Sequence, residues 1–336
     1  MRKILLTVLG WTVRLAALIV LLLVIWTGGS VVAAIVRERG PQPLPPAEGR
    51  LIPTGDGAIF VQIRGPAQGQ PVLLIHGSAA WSGFWTDMAV RLAQNGFRVV
   101  AVDLPPFGFS DRSAQGAYSR ADQARRLGTL LRNLNLQNTI IVGHSFGAGA
   151  TVEVVMREPS LFKGMILVDG ALALPADGQD YADEPALLRW ALGQPSITEI
   201  IVASVVTNPL LLKTLLGSLL YNKEAATDAQ TKILERPFAR NGTTKAYAQW
   251  LPALLLADRE AASANPANYA SIRVPTFIIW GDRDTVTPLA QGEQLKRLIR
   301  GSELTVLENV GHIPHIEAPA GFHDVLVKNL KAIAAR

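Results

Sequence analysis

The stretch of the chain best suited to chemistry is a serine set between two glycines. Gly143-His144-Ser145-Phe146-Gly147 follows a run with strong strand character, residues 139–142, and a predicted helix comes directly after it. A sharp strand-to-helix turn holds its apex residue in strained backbone geometry, and the two glycines lack the Cβ atoms that would clash there. The free N–H groups of the helix N-terminus favour developing negative charge. The motif therefore predicts that Ser145 is a nucleophile; the alternative is a glycine-rich turn with a bystander serine.

A nucleophilic serine needs a base, and a histidine is the usual one. His312 follows the last predicted strand, residues 304–307, so it is expected at the same sheet edge as Ser145. His315 is the alternative. The remaining histidines are less well placed: His76 after an early strand, His144 beside the serine on a sharp turn, and His323 inside the last helix. We therefore predict that His312 is the base.

The base in turn needs a carboxylate that fixes its tautomer and stabilises the imidazolium ion. Asp282 and Asp284 both lie on the loop after the penultimate strand, and Asp284 is nearer the following helix. Asp169, directly after the strand that follows the serine, is the rival. Each of the three could instead be a helix cap or a partner in a loop salt bridge.

Strands and helices alternate along most of the chain. Short apolar runs predict strands, and amphipathic runs between them predict helices. The predicted strands are 58–63, 72–75, 98–102, 139–142, 165–168, 276–280 and 304–307, and the predicted helices are 86–95, 120–134, 148–157, 288–299 and 320–335. This alternation predicts an α/β fold with a mostly parallel central sheet flanked by helices. Residues 171–268 break the rhythm, are helical in pattern and contain several prolines, so they are predicted to form a helical insertion.

These motifs together resemble those of the serine α/β-hydrolase family, which includes esterases and carbon–carbon bond hydrolases. The resemblance covers about residues 50–336 and rests on five motifs in order: His76-Gly77-Ser78, the loop over 103–110, the segment around Ser145, Gly281-Asp282-Arg283-Asp284 and Gly311-His312. It implies Ser145 as nucleophile, Asp284 as acid and His312 as base, with the backbone N–H groups of Ser78 and Phe146 as oxyanion donors. It implies no metal and no organic cofactor, and the helical insertion resembles the family's cap.

Dehalogenating and epoxide-opening members carry an aspartate at the nucleophile position, which Ser145 excludes here. Two departures from the family pattern are Pro106, where a glycine is frequent, and Ala79-Ala80 after Ser78.

The expected function is cleavage of an ester or related acyl compound through an acyl-enzyme, with an apolar small molecule as substrate. The alternatives are a carbon–carbon bond hydrolase or acyltransferase on the same triad, and a non-catalytic binding protein on the same fold. Nothing in the sequence indicates an oligomeric state.

The N-terminal segment is apolar and basic. Residues 15–36 contain no charge, and a helix of that length crosses a hydrocarbon core of roughly 30 Å. A retained anchor is expected, with a signal peptide cleaved after Ala34, and hence secretion, as the alternative. Three basic residues precede the span, Arg2, Lys3 and Arg14, and two follow it, Arg37 and Arg39. The larger number before the span favours a cytoplasmic N-terminus and an extracytoplasmic domain.

Most of the net charge belongs to this segment. Of the net charge of +5, residues 1–50 carry +4, so the basic balance does not indicate nucleic-acid binding. The absence of cysteine excludes disulfides and thiolate sites.

The expected organisation is an anchor or signal segment over 1–38, a proline-rich tether over 39–50 that holds the domain off the membrane, a core over 51–170 and 269–336, and a cap over 171–268. Within the cap, residues 200–220 are rich in leucine, and Asn208-Pro209 predicts a break into two short helices. Its leucines either pack onto the core above the site or in part face the bilayer.

Overall fold

The computed structural model describes residues 2–336, and of residues 2–8 and 10 it describes the backbone alone. The side chains of Arg2 and Lys3, on which the predicted orientation in the membrane partly depends, therefore lie outside the described part.

An eight-stranded sheet forms the centre of the molecule. Its strands are β1 (Gly49–Pro53), β2 (Ala58–Arg64), β3 (Pro71–Ile75), β4 (Arg98–Val102), β5 (Thr139–His144), β6 (Phe162–Val168), β7 (Thr276–Gly281) and β8 (Glu303–Leu307). They lie in the order β1-β2-β4-β3-β5-β6-β7-β8. The pairs from β4 to β8 are parallel, whereas β1 and β2 run antiparallel to their neighbours. The predicted mostly parallel sheet is confirmed.

Helices cover both faces of the sheet. They are α2 (Thr86–Gln94), α3 (Arg120–Asn133), α4 (Phe146–Arg157), α10 (Leu289–Leu298) and α12 (Pro319–Ala334), each within two residues of its predicted bounds. A short helix, α11 (Pro314–Glu317), directly precedes α12. Successive strand side chains point to opposite faces. In β3, Val72 and Leu74 pack with α2 and α12, whereas Leu73 and Ile75 pack with α3 and α4. This double burial is the reason why the inner strands read as continuous apolar runs.

The segment between β6 and β7 is a helical insertion. It contains α5 (Ala186–Leu192), α6 (Pro195–Ile201), α7 (Pro209–Leu219), α8 (Asp228–Glu235) and α9 (Thr243–Leu255). A π-helical turn, Val202–Val206, extends α6, and this helix then meets α7 at an angle of 75°. The break lies at Thr207 and Asn208, as Asn208-Pro209 predicts, because proline removes a backbone donor and cannot continue the preceding helix. Leu212, Leu216 and Leu220 are buried in the core, whereas Leu210 is exposed.

The N-terminal helix, α1 (Arg2–Arg39), is apolar and long enough to cross a membrane from Trp11 onward. Its last turns pack on the insertion and do not stand away from it. Ala34 is 2 % exposed, and the Glu38 carboxylate accepts hydrogen bonds from the Thr244 backbone N–H at 2.8 Å and hydroxyl at 2.5 Å. Gln42 and Leu44 also bond to the insertion.

The tether over residues 39–50 stays a prediction, but the end of α1 makes contacts with the insertion that this prediction did not include. Ser30, Ala34 and Glu38 lie four residues apart on one face of α1, and this face is buried. The helix end itself is attached to the insertion, and residues 40–48 lead from it to β1, with hydrogen bonds to the insertion at Gln42 and Leu44.

Candidate active site

Ser145 lies at a sharp turn between β5 and α4. Its backbone has φ 51° and ψ −124°, a left-handed conformation that costs a non-glycine residue about 1–3 kcal/mol. The surrounding chain holds it there: the Ser145 N–H donates to the Val168 carbonyl at 3.0 Å, and its own carbonyl accepts from Ala148 at 2.9 Å. A Cβ at Gly147 would lie 2.4 Å from the His76 carbonyl oxygen, so only glycine fits this close approach. The predicted strained turn is present.

His312 connects the serine to a carboxylate. Its Nε2 lies 2.8 Å from the Ser145 hydroxyl, and its Nδ1 lies 2.7 Å from Oδ2 of Asp284. All three side chains are buried. The structure thus brings together the three residues that the sequence motifs suggest, in the mutual geometry that nucleophile, base and orienting acid require.

Asp284 is held as an ionised acceptor. Its Oδ1 accepts from the backbone N–H groups of Val286 and Thr287 at 2.7 and 2.9 Å, and its Oδ2 accepts from the Thr287 hydroxyl at 2.6 Å. Burial alone would raise the pKa of this carboxyl, but hydrogen bonds from His312 and Thr287 outweigh burial and hold the pKa below its usual value. Sequence reasoning missed Thr287. An aspartate three residues before a threonine is a recognisable turn pattern, and it was the available signal.

The rival carboxylates do not contact His312. One oxygen of Asp169 accepts from the Gly281 backbone N–H at 2.9 Å, and the other is buried with no hydrogen-bond partner among the described residues. Burial, followed by the nearby charge of Asp284, raises the pKa of Asp169 well above its usual value. Asp282 accepts from the Val310 backbone N–H at 3.3 Å and pairs with Arg283. Both carboxylates therefore organise the loop that carries Asp284.

The other histidines are structural neighbours of the site or lie away from it. His76 accepts from the Leu104 N–H at 2.9 Å, and burial lowers its pKa to about 4. His315 stacks on Trp85 with ring centroids 4.1 Å apart, and His323 is paired with Asp324 at 3.2 Å.

His144 has a role that the sequence did not indicate. Its Nε2 lies 2.8 Å from the backbone carbonyl oxygen of His312, so the ring holds the main chain that carries the catalytic candidate. Burial, with a smaller contribution from the charge of His312, lowers the pKa of His144 to about 3. The ring is therefore neutral and donates from Nε2. The His312 N–H donates to the Leu219 carbonyl at 2.9 Å, which ties the same loop to the end of α7.

The predicted oxyanion donors flank the serine. Phe146 is the first residue of α4, where a backbone N–H has no partner within the helix. Ser78 lines the same cavity as Ser145, and the next residue, Ala79, has φ 53°. The loop thus adopts a left-handed conformation at an alanine, at the position where Ala79-Ala80 departs from the family pattern.

An apolar cavity of about 340 Å³ opens above Ser145. Its walls come from both the core and the insertion, and most of them are aliphatic. The insertion contributes Val205, Val206, Leu212, Leu215, Leu216, Leu219, Leu234, Trp250 and Leu254. Among the described residues that line the cavity there is no Arg or Lys. In the part of the chain with described side chains, no cluster of three or more His, Asp or Glu residues could hold a metal ion.

A family model described as "alpha/beta hydrolase fold" matches residues 70–319. The chain is 26 % identical over 270 residues to a 2-hydroxy-6-oxo-2,4-heptadienoate hydrolase of Pseudomonas putida, with 79 % of this chain and 91 % of that one covered. It is also 26 % identical over 276 residues to Lipase 1 of Psychrobacter immobilis, with coverage of 79 % and 78 %.

Among solved structures, the chain resembles a membrane phospholipase A described as a bacterial virulence factor. The TM-score is 0.67 at 21 % identity, and the match covers 100 % of both chains. At this identity the likeness concerns the fold, which here extends over the N-terminal helix as well as the sheet.

Proposed function

Because this chain belongs to the α/β-hydrolase family, we propose that it is a serine hydrolase that cleaves esters of apolar acyl groups through an acyl-enzyme on Ser145. The observation that carries the proposal is the chain of hydrogen bonds from the Ser145 hydroxyl through His312 to Asp284, with heavy-atom distances of 2.8 and 2.7 Å. It lies at the base of a cavity whose walls are mostly aliphatic.

In the first half of the reaction, neutral His312 accepts the hydroxyl proton at Nε2 while Oγ of Ser145 attacks the ester carbonyl carbon. The carbonyl electron pair moves to oxygen, and the backbone N–H groups of Ser78 and Phe146 stabilise the resulting oxyanion. The carbon–oxygen bond to the alcohol then breaks, and His312 returns its proton to the leaving oxygen. Asp284 remains ionised and holds Nδ1–H throughout.

In the second half, a water molecule replaces the alcohol. His312 takes a proton from the water as its oxygen attacks the acyl carbon, and the tetrahedral intermediate collapses with return of the proton to Ser145. The products are the free acid and the original enzyme.

The composition of the cavity favours an ester over a carbon–carbon bond substrate. The Pseudomonas putida relative is named for a heptadienoate, a substrate with a carboxylate group. Burying a carboxylate is costly without a cationic or strongly donating partner. The lining, which among the described residues contains neither Arg nor Lys, offers an apolar acyl chain a better environment than a dienoate.

A panel of p-nitrophenyl esters from acetate to palmitate tests this proposal. Release of p-nitrophenol should increase toward medium and long chains, and Ser145→Ala should remove it. The same preparation should leave a 2-hydroxy-6-oxo-dienoate unchanged. If the dienoate is turned over and the esters are not, carbon–carbon bond cleavage is favoured. If the esters are consumed only when an alcohol is added, acyl transfer is favoured.

We further infer that α1 is a retained membrane anchor with the hydrolase domain on the extracytoplasmic side. The contacts of Ser30 and Ala34 with the insertion support retention, because cleavage after Ala34 would remove both residues from a helix face that is buried. The basic side chains before the span support the orientation.

A further inference from the structure

The bend between α6 and α7 presents an unusual surface. Between Glu199 and Lys213 the chain carries no charge, and every exposed residue there is apolar: Ile200, Ile201, Val205, Pro209 and Leu210. Leu210 is 78 % exposed. A contiguous exposed apolar patch that ends at charged residues on both sides is typical of a surface that contacts a partner or a membrane.

This bend is attached to α1. The Asn208 side chain donates to the Ser30 hydroxyl at 3.2 Å, and the Arg37 guanidinium donates to the Thr207 hydroxyl at 3.2 Å. Asn208 also donates to the Ser204 carbonyl and accepts from the Leu210 N–H, both within 3.2 Å. Its polar atoms are thus satisfied within the protein, as a location without water requires.

The positions along α1 of the residues that contact the bend indicate its depth relative to the headgroup layer. Ser30 precedes Arg37 by seven residues, which is about 10 Å along a helix. If Arg37 lies among the headgroups at the end of the apolar span, Ser30 lies near or below the boundary of the hydrocarbon core, since the headgroup layer is only about 5–8 Å thick. Asn208 shares the level of Ser30, and Leu210, two residues further on in the first turn of α7, lies within about 3 Å of that level along the helix.

Helix α7 leads from this level to the catalytic candidates. Leu210 is exposed on its N-terminal turn. Further along the helix, the cavity is lined by Leu212, Leu215 and Leu216. At the other end, the Leu219 carbonyl accepts a hydrogen bond from the His312 N–H. Eleven residues span about 16 Å. One aliphatic wall therefore runs from the bilayer level to Ser145.

We propose that the α6–α7 bend is a second membrane contact, inserted in the outer part of the bilayer beside α1, and that an apolar substrate enters the cavity from the lipid along α7. The proposal rests on the inferred membrane insertion of α1 and, for the entry route, on the proposed ester hydrolysis. Lipid is the expected contact of the apolar patch, because the patch adjoins the surface of a helix that is long and apolar enough to span the bilayer.

The absence of native cysteine allows a direct test of depth. Nitroxide labels are placed singly at Leu210→Cys, Val32→Cys, Leu22→Cys and Lys328→Cys in the full chain, reconstituted in phosphatidylcholine–phosphatidylglycerol vesicles. All four positions are exposed to the surroundings of the protein. Val32 is the matched control for depth, because it lies only about 3 Å along α1 from Ser30. The label at Leu22 is the reference for a position within the proposed membrane span, and the label at Lys328 on α12 is the reference for a position in water. Accessibility to oxygen is compared with accessibility to a water-soluble nickel complex.

We expect the label at position 210 to match the label at position 32, with high accessibility to oxygen and low accessibility to the nickel complex. Its accessibility to the nickel complex should be at least tenfold lower than that of the label at position 328. A label at 210 that is as nickel-accessible as at 328, while 22 is protected, would overturn the membrane contact and leave the anchor intact. Nickel access at 22 would overturn the anchor itself. Spin–spin broadening at 210 that disappears on dilution with unlabelled protein would show a second copy on the patch and would also overturn the proposal.

The entry route has a separate test. Leu210→Glu introduces a charge at the proposed lipid level, and Ser218→Glu introduces the same charge on the same helix about 12 Å further from it. We expect Leu210→Glu to lower turnover of long-chain esters in vesicles about tenfold more than turnover of short soluble esters, with Ser218→Glu affecting neither selectively. Equal losses on both substrates would contradict entry from the lipid, and inactivity of the unmodified protein on every ester would instead contradict the proposed function.

Discussion

At the residue scale, the chemistry of the site depends on which carboxylate orients His312. The sequence offered Asp169, Asp282 and Asp284, and the family resemblance favoured Asp284. Motif order alone could not distinguish carboxylates two residues apart on one loop, because the direction of each side chain depends on the turn. The turn here is closed by the backbone N–H groups of Val286 and Thr287, which fix Asp284 toward His312. The spacing of Asp284 and Thr287 signals such a turn, but whether the turn points the carboxylate toward His312 depends on three-dimensional geometry.

Replacing the orienting acid should be far more damaging than replacing its neighbours. Asp284→Asn should lower kcat by about 10³–10⁴-fold, since an amide can stabilise the wrong histidine tautomer. Asp169→Asn and Asp282→Asn should retain most activity, because neither side chain contacts His312. Steady-state kinetics on one ester decide the matter. A larger loss with Asp169→Asn would place the acid after β6.

Thr287 should position the acid. Thr287→Val removes the hydroxyl that donates to Asp284, and a hydrogen bond to a charged group contributes about 1.5–3 kcal/mol, so kcat should fall about tenfold or more. Thr285→Val, on the exposed side of the same loop, is the matched control and should be neutral. Because the effect acts through the position of His312, kcat should fall while KM changes little. An unchanged kcat for Thr287→Val, or a loss that appears only in KM, would assign the hydroxyl no part in positioning the acid.

At the element scale, periodicity was sufficient for the inner strands and the helices that cover them. It failed for β1, an edge strand whose residues alternate irregularly between exposed and half-buried positions. Its Gly49 and Pro53 also lack strand propensity. β1 exists because it pairs with β2 along five residues, a tertiary interaction that local sequence does not indicate.

The attachment of α1 to the insertion is the second feature that the sequence did not indicate. The apolar length of the helix was readable, but the face that packs on protein was not, because Ser30, Ala34 and Glu38 do not form a recognisable motif. Small residues allow close approach of helices. The consequence is that α1 and the insertion are joined at a defined register.

A bulkier residue at the contact should separate the two. Ala34→Leu should destabilise the protein by about 1–3 kcal/mol, because extra methyl groups must be forced into a packed interface. Ala33→Leu places the same side chain at the preceding residue, which is exposed, and should be neutral. Thermal unfolding in detergent micelles compares the two variants. Equal melting temperatures would show that the contact with the insertion contributes little.

At the scale of the whole molecule, the α/β-hydrolase fold was predictable from the order of motifs and from the β–α alternation, and the family match confirms it. The insertion is predictable as helical from its helical pattern and the lack of β–α alternation, and its prolines indicate that it is divided into several short helices. Its placement is not predictable, because packing above Ser145 and against α1 depends on contacts between residues far apart in sequence.

The proposed retention of α1 as an anchor has a direct biochemical consequence. The full-length chain should sediment with membranes and resist extraction by alkaline carbonate, since its apolar span has no charge from residue 15 to residue 36. N-terminal sequencing of the protein from cells should find the original N-terminus. A mature chain that begins at Ile35, recovered in the soluble fraction, would replace the anchor by a cleaved signal peptide.

The central claim, that Ser145 is the nucleophile of a serine hydrolase, is tested most directly by covalent labelling followed by peptide mass spectrometry. The full-length protein is treated with a fluorophosphonate, digested and mapped. We expect one adduct, on the peptide that contains Ser145, with no adduct in Ser145→Ala and much slower labelling in His312→Ala, whose serine lacks its base. An adduct on a different serine, or undiminished labelling of Ser145→Ala, would contradict the account.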